Sequence, residues 1–251
     1  MDAAANDDER TRDIADGLRR VRGRIGEAAR RAGRDADDVT LIVVTKTYPA
    51  DDVMRLAHLG VHDVGENRDQ EAAPKAAAVE AALHQPGIGW PGIRWPSIHW
   101  HFVGQLQTNK ARSVVRYAHA IHSVDRVDLV TALNRAAARA QRQPQCFVQV
   151  SLDGDTARGG AAGDDVLVVA DAVAAGDHLG LAGLMAVAPL DWEPARAFDA
   201  LAGLSVRLRA AHPAATGLSA GMSGDFEAAI EAGATHVRVG SAVLGQRAPL
   251  G

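Results

Sequence analysis

Thr40-Leu-Ile-Val-Val-Thr-Lys-Thr-Tyr-Pro-Ala-Asp-Asp-Val-Met54 sets a short β-branched run against a proline turn and a carboxylate-rich helix start. A run of this length bounded by turn residues reads as a buried strand, and Asp51 and Asp52 in the following first turn favour the helix dipole. The stretch is therefore one βα unit. The same alternation recurs along the chain, with strands expected at Thr40 to Lys46, Val61 to Glu66, Trp100 to Leu106, Ala120 to Val124, Gln145 to Leu152, Leu181 to Val187, Gly217 to Met222 and His236 to Ser241. Asp164-Asp165 before Val166 and Ser223-Gly-Asp before Phe226 mark further helix starts. Upstream, Ile14, Leu18, Val21 and Ile25 recur at helical spacing, with Gly33 as the stop. Eight βα repeats behind an extra helix predict an α/β chain forming a single (β/α)8 TIM-type barrel with an additional N-terminal helix. A doubly wound open sheet is the alternative, because periodicity does not reveal closure.

The expected organisation is a flexible acidic tail over 1–12 and one barrel domain over 13–251. Residues 84–99 are expected as a Pro/Gly/Trp-rich surface loop. That loop contains Gly87-Ile-Gly-Trp-Pro-Gly92, a literal G-x-G-x-x-G, but a second Trp-Pro follows where a dinucleotide site needs a helix start. A net charge of -4 over 251 residues argues against nucleic-acid binding. Cys146, the single cysteine, reads as a buried inert thiol. With no secretory h-region and no apolar run of membrane-spanning length, the expectation is a cytoplasmic protein without membrane association.

Only three lysines occur, and one of them, Lys46, closes the first strand. Lysine forms a Schiff base with an aldehyde and arginine does not; the duller reading is a strand-end lysine reaching solvent. If the barrel closes, the first strand lies beside the eighth, Val237-Arg-Val-Gly-Ser-Ala242. Alternation then turns Val237 and Val239 toward the helices and Arg238 inward, where its charge needs a carboxylate or a ligand. Gly217-Leu-Ser-Ala-Gly-Met-Ser-Gly-Asp225, with Gly240 and Ser241, has the small residues from which barrels build phosphate cradles, although each loop alone also reads as an ordinary helix cap. An aldehyde-reactive lysine, a phosphate cradle and an inward arginine match the three handles of pyridoxal 5'-phosphate (PLP).

Six blocks carry a resemblance across Ile14 to Gly245: Val44-Thr-Lys-Thr47, Gly65-Glu-Asn67, Trp100-His-Phe-Val-Gly104 with Asn109-Lys110, Gly183-Leu-Met185, Leu218-Ser-Ala-Gly-Met-Ser223 and Val237-Arg-Val-Gly-Ser241. In these the chain resembles the YggS/PROSC-type pyridoxal phosphate homeostasis proteins, whose fold is that of the alanine racemase N-terminal barrel. The resemblance implies that Lys46 is the Schiff-base lysine, that Ser219, Met222, Ser223, Gly240 and Ser241 surround the phosphate, that Arg238 faces the pyridine nitrogen and that Asn67 lines the pocket. Arg68 and Arg158-Gly-Gly160 depart from the family's pattern at the rim, and the Trp-Pro loop is longer than the family implies.

The expected function is a PLP-binding protein of vitamin B6 homeostasis that holds its ligand as a Schiff base without robust catalysis. It is expected to be a monomer that meets PLP-dependent client enzymes transiently. The alternatives are a PLP-dependent enzyme such as an amino-acid racemase, with Tyr48 as an internal proton donor, and a Schiff-base aldolase acting on a sugar phosphate. His99 and His101 share a strand face at metal-ligand spacing but lack a third ligand, so packing is the expected role. Met185 and Met222 read as strand-end packing, Met222 also as a cofactor contact, and Lys110 either binds an anion or is solvated.

Overall fold

The computed structural model describes residues 3–83 and 97–245, with side chains from Glu9 onward. Eight parallel strands form a closed barrel in sequence order. They are β1 (Thr40–Val44), β2 (Asp63–Glu66), β3 (His99–Phe102), β4 (Ala118–Val124), β5 (Gln145–Gln149), β6 (Gly180–Met185), β7 (Gly217–Ser219) and β8 (His236–Val239). The helices are α1 (Ala3–Arg31), α2 (Ala50–His58), α3 (Asp69–Leu83), α4 (Ala111–Tyr117), α5 (Val127–Ala140), α6 (Asp165–Ala174), α7 (Pro194–Ala211), α8 (Phe226–Glu231) and α9 (Ser241–Leu244). Closure comes from β1 pairing with β8, with Thr40 opposite His236, Leu41 opposite Val237, Ile42 opposite Arg238 and Val43 opposite Val239. This pairing rules out the open sheet.

All eight expected strands are present, and most end earlier than the apolar runs do. Lys46, Leu106, Leu152, Val187, Met222 and Ser241 all lie beyond the last paired residue of their strands. The ladder stops where the neighbouring backbone diverges; β7 and β8, for example, are in register only at Ser219 and His236. The residues past each strand are thereby released to build the mouth.

Val237 and Val239 are fully buried on the outer face of the barrel, in one cluster with Ile14, Leu18, Val21 and Ile25 of α1 and Phe226 and Ile230 of α8. The extra helix thus covers the seam where the barrel closes. It approaches α9 so closely that a Cβ on Gly17 would stand 2.3 Å from the Val243 carbonyl oxygen. The expected tail over 1–12 is corrected: α1 is already helical from Ala3. Polar composition hid this, because the ordering contacts are tertiary. Arg10 donates to the buried Asp52 carboxylate at 2.6 Å and to the Leu244 carbonyl at 3.0 Å.

The loop expected at 84–99 falls mostly on residues 84–96, outside the described residues, as does the glycine motif at 87–92; His99 opens β3. No helix among the described residues is long and apolar enough to cross a membrane.

Candidate functional site

The C-terminal ends of β1, β2, β7 and β8 bring together the residues expected at the site. Lys46 sits in the turn directly after β1, half-buried. Gly240 follows β8 so closely that a Cβ there would lie 3.3 Å from the Val44 carbonyl oxygen. The Arg238 amide donates to Gly221 at 3.0 Å, which draws the 220–223 segment against β8. Gly221 has φ +88, a conformation that glycine adopts without the steric penalty of a side chain, and a Cβ there would stand 2.6 Å from Phe226 Cα. Asn67 follows β2, with Gly104 pressed against it: an added Cβ at Gly104 would stand 2.1 Å from the Asn67 carbonyl oxygen. Beside Asn67 lies a cavity of about 150 Å³ lined by Arg68, Phe102, Gln105 and Lys110.

Arg238 points into the barrel and is 5 % exposed. It donates to the Ser219 hydroxyl at 2.7 Å and to the Ala186 carbonyl at 2.9 Å. No carboxylate pairs with it among the described residues; Asp225 acts on it only through its field. Burial lowers its pKa to about 10, so it stays cationic at neutral pH. Two of its five N–H donors are thus satisfied by neutral groups. Ser219, expected around a phosphate, stands at the end of β7. Its side chain is fully buried, and its hydroxyl is engaged by Arg238 and, at 2.9 Å, by His122. Met222, expected either as strand-end packing or as a cofactor contact, is 41 % exposed at the mouth; Ser223 is half-buried and Ser241 exposed.

A second lysine, overlooked in the sequence, supports the first. Lys75 of α3 is buried and donates to Glu66 at 2.6 Å, to Glu71 at 2.9 Å and to the Thr45 carbonyl at 2.8 Å. Glu71 also accepts from the Thr47 amide, and Thr47 has φ +70, which is rare for a β-branched residue. Lys75 and Glu71 therefore hold the backbone on both sides of Lys46. Burial raises the pKa of Glu66 above its ordinary value, against the pull of Lys75 and Thr45. Its second carboxylate oxygen is buried without a hydrogen bond. The signal was available in the rarity of lysine and the Glu71/Lys75 spacing of four, but such a spacing usually marks a solvated helix pair.

The barrel interior is unusually polar. Asp63 Oδ1 lies 2.9 Å from His101 Nε2, His101 Nδ1 lies 2.8 Å from His122 Nε2, and His122 Nδ1 lies 2.9 Å from Ser219 Oγ. His99 also reaches Asp63, at 3.2 Å, so both histidines weighed as metal ligands converge on one carboxylate oxygen. His122 stacks on Phe147 with ring centroids 4.3 Å apart. Burial holds the pKa of His122 well below its ordinary value and takes that of His236 down to about 4.

In the unfolded chain both imidazoles titrate near about 6.5. Between that value and the lower folded values the unfolded state binds more protons, so their contribution to stability is lost as pH falls. Glu66 works in the opposite sense: its raised folded pKa gives stability below the unfolded value of 4.5 that is lost as pH rises. With two histidines against one carboxylate, the urea midpoint is expected to fall between about pH 7 and about pH 5, each histidine contributing up to roughly 1.4 kcal/mol per pH unit. A flat or rising midpoint would contradict neutral burial.

Other candidates have local roles. The Tyr48 hydroxyl donates to the Gly245 carbonyl at 2.8 Å, and Lys110 faces Asp69 at 3.9 Å. Met185 is buried with Ala120 and Phe147, and burial pushes the Cys146 thiol up to about 12.

The family model "Alanine racemase, N-terminal domain" matches residues 18–248. The pyridoxal phosphate homeostasis protein of Mycobacterium leprae is 44% identical over 246 residues, spanning 94% of each chain. That of Escherichia coli K12 is 34% identical over 238 residues, spanning 94% of this chain and 97% of the relative. Among solved structures, PipY of Synechococcus elongatus PCC7942, determined with PLP bound, superimposes with a TM-score of 0.77 at 31% identity, covering 92% of this chain and 100% of that one. With a closed barrel, a site ringed by β1, β2, β7 and β8, and relatives matched along nearly their whole length, this chain belongs to the pyridoxal phosphate homeostasis protein family, within the alanine racemase N-terminal-domain fold.

Proposed function

We propose that this chain binds PLP reversibly through a Schiff base at Lys46 and serves vitamin B6 homeostasis as a carrier, without robust catalysis. The observation that carries this reading is Arg238, a buried guanidinium with donors to spare and no carboxylate among the described residues to neutralise it. Its cost of burial calls for an anionic or acceptor-bearing ligand at the mouth. The mouth also fits the group sterically, since Gly240 lacks the side chain that would crowd the Val44 carbonyl. PipY, solved with PLP bound and 31% identical, and the 44% identical pyridoxal phosphate homeostasis protein of Mycobacterium leprae support the same ligand.

When bound, PLP supplies an aldehyde for covalent capture and a pyridine ring able to accept electrons. Lys46 presents the amine from a turn braced by Lys75 and Glu71. Gly240, Ser241, Met222 and Ser223 would surround the phosphate, and Asn67 would line the pocket. Arg238 only donates, so it would hold the ring nitrogen as an acceptor, unprotonated, and would weaken the ring as an electron sink. Tyr48, the internal proton donor a racemase would need, spends its hydroxyl on Gly245.

The test is borohydride reduction of the PLP-loaded protein followed by peptide mapping. The adduct is expected on Lys46, with the visible band absent from Lys46→Ala. An adduct confined to Lys75 or Lys110 would overturn the assignment. Stereospecific proton exchange at Cα of amino acids at ordinary enzymatic rates would replace the carrier with a racemase. Transient contacts with client enzymes and a monomeric, cytoplasmic state belong to the same proposal, and light scattering of the purified protein tests the oligomeric part of it.

A further inference from the structure

Arg238 is one end of a hydrogen-bonded chain that crosses the barrel, Arg238 to Ser219 to His122 to His101 to Asp63, with successive separations of 2.7, 2.9, 2.8 and 2.9 Å. Its two ends are chemically different. A guanidinium can only donate, and an ionised carboxylate can only accept. These ends dictate every proton between them. Ser219 accepts from Arg238, so its own proton goes to His122 Nδ1. His122 is then protonated at Nε2 and donates to His101 Nδ1, and His101 is protonated at Nε2 and donates to Asp63. Both imidazoles are neutral Nε2–H tautomers, and each donor in the chain has an acceptor.

The opposite polarity is disfavoured by proton count. If His122 donated to Ser219, the hydroxyl would face two donors with its own proton unplaced. His101 would then need a second proton to keep its bond to Asp63. That proton would place a charge on His101, which is 3 % exposed and 2.8 Å from the His122 ring. Asp63 is well suited to the accepting end. Burial alone would raise its pKa, yet the hydrogen bonds it accepts from His101 and His99 bring it below the ordinary carboxylate value.

We infer that Ser219, His122, His101 and Asp63 are positioning residues that fix the guanidinium of Arg238 toward the mouth of the barrel, through a chain whose single polarity is set by the carboxylate at its far end. The inference rests on the proposed facing of Arg238 and the pyridine nitrogen. Its physical content is that the Ser219 oxygen is held as an acceptor. Without His122 the Ser219 proton loses its acceptor, and the hydroxyl oxygen is held from one side only. The donors of Arg238 then lose their fixed direction, although no residue touching the ligand has been changed.

Long-range ¹H–¹⁵N spectra of the cofactor-free protein test the polarity. His101 and His122 are expected as neutral Nε2–H tautomers. In Asp63→Asn, whose amide can donate as well as accept, both signals should move toward mixed tautomers. An Nδ1–H tautomer at His122 in the wild-type protein would overturn the chain. PLP titration tests the positioning. His122→Phe preserves an aromatic ring against Phe147 and should bind PLP roughly tenfold more weakly, the worth of one hydrogen bond involving a charged group. Its visible band should shift while borohydride still traps the adduct on Lys46. Ser219→Ala, a smaller change, should reproduce the shift if His122→Phe does not fold. Wild-type affinity and an unmoved band in a folded variant would overturn the positioning role. A wild-type protein that traps no PLP would instead sink the cofactor reading, leaving the polarity to stand or fall on the cofactor-free spectra.

Discussion

Lys75→Met is expected to lower the unfolding free energy by about 3–5 kcal/mol at neutral pH, the usual cost of stranding one member of a buried ion pair. Glu66 is 1 % exposed and would lose the ammonium 2.6 Å from its carboxylate, while its second oxygen already lacks a hydrogen bond. Glu71 is 29 % exposed at its side chain and can turn to water, so most of the loss falls on Glu66. A pH series distinguishes this cause from simple loss of packing. Burial already raises the pKa of Glu66, and removal of Lys75 raises it further. A raised folded pKa contributes stability below the unfolded value and loses it as pH rises through the folded value. The deficit of the variant should therefore shrink on mild acidification. Lys75→Met combined with Glu66→Gln should recover more than half of it at neutral pH. A deficit independent of pH and unrepaired by the second substitution would show that the charge is not the cause. The variant should also capture PLP on Lys46 more slowly, because the Thr45 carbonyl loses its donor at 2.8 Å.

Gly183→Ala is expected to be comparably damaging. Gly183 has φ +151, and a Cβ built there would stand 1.8 Å from the Gly217 carbonyl oxygen, an approach that requires the backbone to move. Overpacking of a filled interior costs roughly 1–3 kcal/mol, and a residue with a side chain in this region of φ adds a similar amount. The strain falls on the β6–β7 pairing, where Gly183 is in register with Gly217 and Met185 with Ser219. These strand ends supply the Ala186 carbonyl and the Ser219 hydroxyl, the two acceptors of Arg238. Folded Gly183→Ala should accordingly bind PLP more weakly as well as melt earlier. Retained stability would mean that β6 and β7 separate more easily than this spacing implies.

Several of the candidate site residues share a position that is legible in the sequence. Lys46, Asn67, Gly240 and Ser241 stand just past strand ends, and a barrel gathers the ends of its strands at one mouth. Arg238 was assigned inward from the alternation Val237-Arg-Val239, and the outer burial of the two valines agrees. The partners of the Ser219 hydroxyl, Arg238 and His122, are not legible in the sequence, because a small polar residue in a glycine-rich segment looks the same whether it meets an anion or a neighbouring side chain. The first turns of α1 were mistaken for a tail for a related reason. Arg10 is polar in composition but ordered by Asp52, which is 42 residues away.

The βα alternation, the inward face of β8 and the place of Lys46 just past the first strand are legible in the sequence, because strand and helix periods are local properties of the chain. The meeting of β1 with β8, the bracing of the turn around Lys46 by a buried Lys75, and the joining of Asp63 to Arg238 through His101, His122 and Ser219 arise from tertiary pairing. A period of two says which way a side chain points. Its partner depends on the register of strands far apart in sequence, and in this barrel that register turns separate polar residues into one directed chain.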